Sequence, residues 1–554
     1  MKKIVLVLSF AFFAMTMSAV PARPGQWKTV KLNDGREVRV ELCGDEHARF
    51  WRDADGNVYV EEEEGKETYA LADFEKISAR AAKRRAAINT ERMKRAARGP
   101  HKIDLGEEHA PYIGSKKGLI ILVNFRDTKF QSSNNAAFYN RVANEEGFKS
   151  GNIDGSVRDY FKAQSGGQFI LEFDVKGPVN LQNGYSYYGQ NVNGFDGKPG
   201  HMVAEACKAI DNEVNFRDYD WDGDGMVEQI FVLYAGKGEH DGGGTSTVWA
   251  HQWTLKEAYG STLRLDGVQV DTYACGNELN SSGRAQGIGT ICHEFSHCLG
   301  LPDLYDLQYR NPGMLNWSVM CSGCDNGSGY VPCGYTSYEK WYCGWLDPIE
   351  LKYDIDVKNM KPLSNGGEAY VIYNERNRNE YYLLENRQKV GWDRGLSGSG
   401  LLVLHVDFDK KVWAANEPNT TTQSESGNTR QRCIPVPADN SLSSGTASGD
   451  TYPNQGRNTT LSKTSKPATS LYNTNSDGTK YLNVTVSGIT QNSDKTVSFK
   501  FKGQYGPTGI EDVSESMGTN ESNVYDLNGR IVGTNESQPL QRGIYIQNGK
   551  KVIK

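Results

Sequence analysis

The segment Cys292-His293-Glu294-Phe295-Ser296-His297-Cys298-Leu299-Gly300-Leu301-Pro302-Asp303 sets two histidines four residues apart, with a glutamate directly after the first. On a helix such residues lie one above the other, so both imidazoles can reach a single tetrahedral metal ion. Zinc held this way lowers the pKa of its water towards about 7 and polarises a carbonyl. Glu294 stands beside the first ligand, where a carboxylate can accept the proton of that water. Gly300 lets the chain leave the helix through a left-handed conformation, after which Asp303 can return as a third ligand, an oxygen donor. The bland alternative is a helix whose two histidines hydrogen-bond locally without metal. Cys292 and Cys298 fall on other faces of the helix and read as packing residues or disulfide partners.

A second cluster, Asp220-Trp221-Asp222-Gly223-Asp224-Gly225-Met226-Val227-Glu228, alternates carboxylates around turning glycines. Asp220, Asp222, Asp224, Glu228 and the backbone carbonyl of Met226 stand at offsets that wrap oxygen ligands around a hard cation, with calcium the expected occupant. The twelfth position holds Phe231 instead of a glutamate, so Asp218 or a remote group would have to complete the shell. Without a cation these carboxylates repel one another, and the cluster is then an acidic turn.

The elements that must position these groups follow from the pattern of the chain. Ile4 to Met17 is an apolar run behind Lys2 and Lys3 and ahead of the small residues Ser18, Ala19 and Ala22. It is too short to cross a bilayer and reads as a cleavable export signal, residues 1–22. Residues 23–115 read as a propeptide. Alternation over 27–72 predicts a small antiparallel sheet, and an Ala-rich basic stretch carrying Arg80, Lys83, Arg84, Arg85, Arg92, Lys94, Arg95 and Arg98 forms a marginal helix and processing linker. Gly118 to Phe125 opens an α/β domain, 116–349, with a strand suited to a sheet buried on both faces. Short strands between Gly/Asn/Ser/Thr-rich loops predict a β-sandwich over 350–503. A polar linker, 504–522, precedes a small β domain at 523–554 with Asn528-Gly529 and Asn548-Gly549 turns.

Beyond Asp303, the stretch Asn316-Trp317-Ser318-Val319-Met320-Cys321 resembles the Met-turn, the apolar floor beneath the zinc of metzincin-type peptidases, with Met320 at its centre. The chain is similar here to the peptidase M6 family, the immune inhibitor A-like secreted metallopeptidases. The likeness extends through Ile120 to Phe125, Val157 to Phe161, Ser165-Gly166-Gly167, Asp220 to Gly236, Trp249 to Trp253, Tyr335 to Trp345 and Glu385 to Gln388, roughly 116 to 500. The resemblance implies a zincin-type, metzincin-like α/β catalytic domain, zinc on His293, His297 and Asp303, and Glu294 as general base. It departs in one place. Several metzincin groups carry a tyrosine two residues after the Met-turn methionine, where it steadies the oxyanion; Ser322 stands there, and Tyr330, Tyr335 and Tyr338 are the candidates to replace it. Zymogen switches in related peptidases suggest that Cys43 or Asp45 fills the fourth zinc position in the precursor. The C-terminal segment, Val524 to Val552, resembles the sorting domain of type IX secretion cargo, which implies a partner in the secretion machinery.

Over 554 residues, 62 Lys+Arg against 68 Asp+Glu leave a net charge of −6, which provides no general field for nucleic acid or anionic lipid. Eight of the ten cysteines fall between Cys207 and Cys343, and Cys321, Cys324, Cys333 and Cys343 admit local disulfides, a structural zinc site or buried free thiols. The combined expectation is an exported or cell-surface multidomain zinc endopeptidase, made as a zymogen and acting on proteins or peptides, with a calcium-bound loop and no membrane span in the mature chain. The rivals are a secreted adhesin or glycan-binding protein with a vestigial metal site, and a zinc amidase acting on cell wall.

Overall fold

A computed structural model describes residues 22, 26–45, 48–62, 68–86, 112–192, 196–422, 424–454 and 457–503, together with four short strands after 503; for 82–86 and those four strands it describes the backbone. The apolar run Ile4 to Met17, the basic residues Arg92, Lys94, Arg95 and Arg98, the 504–522 linker and the two C-terminal Asn-Gly turns lie outside the described residues.

The N-terminal strands Trp27–Leu32, Glu37–Gly44, Arg49–Asp53, Val58–Glu61 and Thr68–Leu71 close into a barrel, where alternation alone predicts a small antiparallel sheet. Closure comes from a parallel pairing of Lys31 and Leu32 with Thr68 and Tyr69, a long-range contact that period-two patterning does not encode. The helix Phe74–Ala86 follows.

The next sheet has the spatial order His251–Thr254, Thr272–Leu279, Ile230–Lys237, Gly114–Asn124, Phe169–Asn180. Its inner pairings are parallel and only the edge strand His251–Thr254 runs antiparallel. As the unbroken apolar run implies, Leu119, Ile121 and Val123 enter one core with the helix Pro199–Ala209, while Ile120 and Leu122 enter the other with the helices Ala136–Asn144, Val157–Gln164 and Gly289–Cys298.

Residues 349–502 build two further sheets, one of five strands and one of four. Ile372, Leu384 and Val403 from the first and Val486, Phe499 and Phe501 from the second share one core. The opposite face of the five-stranded sheet, with Val371, Leu383, Leu402 and Leu404, joins the core that holds the helix Gly289–Cys298. Every residue of the strand Glu380–Arg387 is buried for that reason. Arg387 fixes the junction: it pairs with Glu385 at 3.0 Å and Asp393 at 2.6 Å, and donates to the carbonyls of Trp317 and Gly334. The strands Asn523–Tyr525, Ile531–Thr534, Ile544–Gln547 and Lys550–Ile553 form a separate four-stranded sheet. Among the described residues no helix is long and apolar enough to cross a membrane.

Removing one partner of a buried ion pair strands the other charge in a dry core. Arg387→Met is expected to lower stability by about 3–5 kcal/mol in chemical denaturation. Tryptophan fluorescence and far-ultraviolet circular dichroism should still report one shared transition, because both domains draw on the same core.

Candidate metal centre

The helix Gly289–Cys298 starts in close contact with its surroundings: a Cβ on Gly289 would lie 2.0 Å from the carbonyl oxygen of Cys324, so only glycine fits. It ends as its sequence requires. Gly300 adopts φ +85° and its N–H bonds the His297 carbonyl at 2.9 Å, turning the chain so that Asp303 faces back to the helix.

His293, His297 and Asp303 are all buried, and their metal-binding atoms lie within 4.8 Å of one another. Nε2 of each histidine is 3.3 Å from Oδ1 of Asp303, and the two rings stand perpendicular with centroids 4.9 Å apart. The far nitrogens are fixed by the backbone: Nδ1 of His293 donates to Val319 O and Nδ1 of His297 to Leu301 O, each at 2.8 Å. Donation from Nδ1 leaves Nε2 as the lone-pair nitrogen of each ring in its neutral form, the tautomer a metal ligand requires. Nε2 of His293 is buried without a hydrogen-bond partner. An inward-facing N, N, O donor set with an orphaned ring nitrogen fits a zinc ion.

Charge at the site points the same way. Burial works against protonation of His293, but the carboxylates of Asp303 and Glu294 outweigh it and raise the ring to about 9. Burial likewise opposes ionisation of Asp303, and the His297 and His293 rings overcome it, holding the carboxyl well below its ordinary value. Glu294 itself is fully buried. Met320 is buried directly after Val319, and its carbonyl accepts from Leu304 N at 2.7 Å, tying that segment to the loop of the third donor.

The three tyrosines considered for oxyanion support have their hydroxyls engaged elsewhere. Tyr330 donates to Ala285 O at 3.0 Å and accepts from Asn280, Tyr335 shares a hydrogen bond with Ser296, and Tyr338 accepts from Trp413 Nε1 at 2.6 Å. All ten cysteines are free and buried, the third of the arrangements their spacing admits, and among the described residues they form no metal-binding group.

The acidic loop brings Asp220, Asp222 and Asp224 together as a second group of converging carboxylates. Asp220 also accepts from the N–H groups of Gly223 and Gly225, and Glu228 accepts from Trp221 N at 2.7 Å, so its carboxylate staples the loop's start. Met226 pairs across to Gln269 as an isolated bridge.

Cys43 and Asp45 are not part of the convergent group. Cys43 packs with Phe50, Val58 and Tyr309, and burial pushes its thiol up to about 11; Asp45 accepts from Ala48 N at 2.8 Å. The barrel around them, together with the helix Phe74–Ala86 that follows it, packs against two segments that flank the donors in the sequence. Arg49 pairs with buried Glu239, Leu42 packs on Trp249, Phe50 meets the Tyr309 ring edge-on at 5.7 Å, and Glu75 pairs with Arg310.

Residues 110–345 match the family model of the immune inhibitor A peptidase M6 catalytic domain. Immune inhibitor A of Bacillus thuringiensis subsp. alesti is 25% identical over a stretch covering 43% of this chain and 42% of its own. Pre-pro-metalloprotease PrtV of Vibrio cholerae serotype O1, strain M66-2, is 26% identical over 44% of this chain and 31% of its own. The chain thus spans less than half the length of these relatives, and the family-model match includes the His-His-Asp group.

The protonated His293 has a sharp consequence for pH. Its folded value of about 9 exceeds the ordinary 6.5, so in metal-free protein its stabilisation is fully present below about pH 6.5 and disappears as pH rises through 9. A metal ion bound at His293 would take the place of that proton. In chelator, the melting temperature is expected to fall between pH 6.5 and 9, and zinc affinity from competition titration to rise over the same interval.

Proposed function

We propose that this protein is an exported zinc-dependent endopeptidase that hydrolyses peptide bonds of protein substrates and is made as a zymogen. The convergence of His293 Nε2, His297 Nε2 and Asp303 Oδ1 beside the buried carboxylate of Glu294 carries the reading. The match to M6 peptidase catalytic domains supports it. When bound, zinc supplies Lewis acidity and an acidified water. The two histidines hold their lone pairs inward because Val319 O and Leu301 O occupy their other nitrogens. Asp303 supplies the anionic donor, and Glu294 takes the proton at its carboxylate and passes it to the leaving amine. The apolar wall of Val319 and Met320 serves as the floor of a metzincin-like site and keeps bulk water from the ligand histidines.

Latency, in this reading, comes from the barrel. With the helix Phe74–Ala86 it holds Glu239 and Trp249, ahead of the sheet's edge strand, and Tyr309 and Arg310, beyond Asp303, and in this reading those contacts keep it over the approach to the donors until processing. Cys43 and Asp45 contribute by shaping the strand and turn that deliver Arg49 and Phe50. The acidic loop of Asp220, Asp222, Asp224, Met226 and Glu228 is assigned to calcium with a structural role. The apolar N-terminal run directs export, and the C-terminal sheet engages secretion machinery.

Two experiments test this. Processed protein should contain zinc and calcium by elemental analysis and cleave casein. Chelation should abolish cleavage, and Glu294→Ala should lower kcat by about 10²–10⁴-fold with zinc retained. Binding of casein without cleavage by the zinc-loaded wild type would refute the peptidase reading. In the precursor, Arg49→Ala leaves Glu239 buried with Asn191 as its remaining side-chain partner. Activation, followed by the appearance of caseinolytic activity, should then accelerate roughly a hundredfold, the equivalent of about 3 kcal/mol of lost docking.

A further inference from the structure

The third donor is held in place from outside the region that matches the peptidase family. A loop that follows the short helix Lys410–Ala414, 113 residues further along the chain, runs beside the segment that begins at Asp303. Asn416 grips Asp303 at both ends: its Oδ1 accepts from Asp303 N at 2.7 Å, and its Nδ2 donates to Asp303 Oδ2 at 2.5 Å. The contact continues stepwise. Asn419 donates to Leu304 O at 2.8 Å, Leu307 N donates to Thr420 Oγ1 at 2.9 Å, and Asn311 donates to Thr421 Oγ1 at 2.8 Å. Asn416, Asn419 and Thr420 are all buried.

The loop is itself rigidly built. Glu417 accepts from Ser424 Oγ, Glu425 N and Ser426 N, and the amide of Asn428 donates to the carbonyls of Glu417, Pro418 and Thr420. Asn416 sits at φ +61°, a left-handed conformation that asparagine tolerates better than most side chains. A carboxylate on a loop rotates freely about its side-chain bonds. Here the bond to Oδ2 leaves one orientation, the one that presents Oδ1 at 3.3 Å to both Nε2 atoms. The neutral amide is also the right chemistry: it donates to the carboxylate and accepts from the N–H of the same residue, which neither a carboxylate nor a hydrocarbon can do together.

We propose that Asn416 is a positioning residue of the metal centre, and that the catalytic unit includes the 416–421 loop of the β-sandwich rather than ending at residue 345. The proposal rests on the reading of His293, His297 and Asp303 as metal ligands. It is tested on the full-length chain by competition for zinc against a chromogenic chelator, alongside the thermal unfolding of chelated and zinc-loaded protein. Asn416→Ala is expected to weaken zinc binding by about 10–100-fold, as loss of a hydrogen bond to a ligand does elsewhere. It should shrink the rise in melting temperature on adding zinc, measured for each variant from its own chelated form. If Asn416→Ala does not fold, Asn416→Asp, of nearly equal volume, takes its place with the same expectation. Wild-type zinc affinity in the folded variant, while Asp303→Ala has lost zinc, overturns the positioning role alone. Wild-type affinity in Asp303→Ala overturns the metal reading and the proposal with it.

Discussion

Two carboxylates and two imidazoles share one buried volume, and that sets the terms for everything around them. Charges removed from water are tolerated when they are paired and hydrogen-bonded, and a divalent cation satisfies Asp303 and two lone-pair nitrogens at once. Without it the charge is balanced by a proton, which is why His293 is driven upward to about 9. The backbone then decides the chemistry. Val319 O and Leu301 O fix the orientation of both rings, and the left-handed Gly300 aims Asp303, so each donor is oriented by the backbone around it.

That pre-orientation depends on pieces far apart in the chain. The strand Glu380–Arg387 is buried on both sides because its sheet closes the sandwich on one face and completes the core behind the ligand helix on the other. Arg387 draws Trp317 O and Gly334 O onto that sheet, which steadies the segment leading into Met320. The same sandwich sends Asn416 to Asp303. The His-His-Asp group therefore lies where the parallel-sheet unit meets the two later sheets, and the N-terminal barrel packs on segments that flank it in the sequence.

Much of this was legible in the sequence, and the limits have physical causes. The histidine spacing, the glycine after the helix and the buried strand from Gly118 are local signals of helical period, left-handed turn and strand run, and the structure has the corresponding helix, turn and strand. Asn416 could not be found that way: an asparagine before a Glu-Pro pair reads as an ordinary turn residue, and its partner stands 113 positions earlier. The barrel's closure likewise rests on a parallel pairing between its first and last strands. Residue type nominates Tyr330, Tyr335 and Tyr338 equally well, and only packing shows that each hydroxyl is already engaged. Clustered cysteines admit bridges, a metal site or buried thiols alike, and only packing selects the last.

The most direct measurement is a crystal structure of the processed protein with anomalous data recorded on both sides of the zinc absorption edge. The account requires one peak about 2.0–2.2 Å from Nε2 of His293, Nε2 of His297 and a carboxylate oxygen of Asp303. An absent peak, or one whose ligands exclude Asp303 while its carboxylate turns away from the rings, would contradict it.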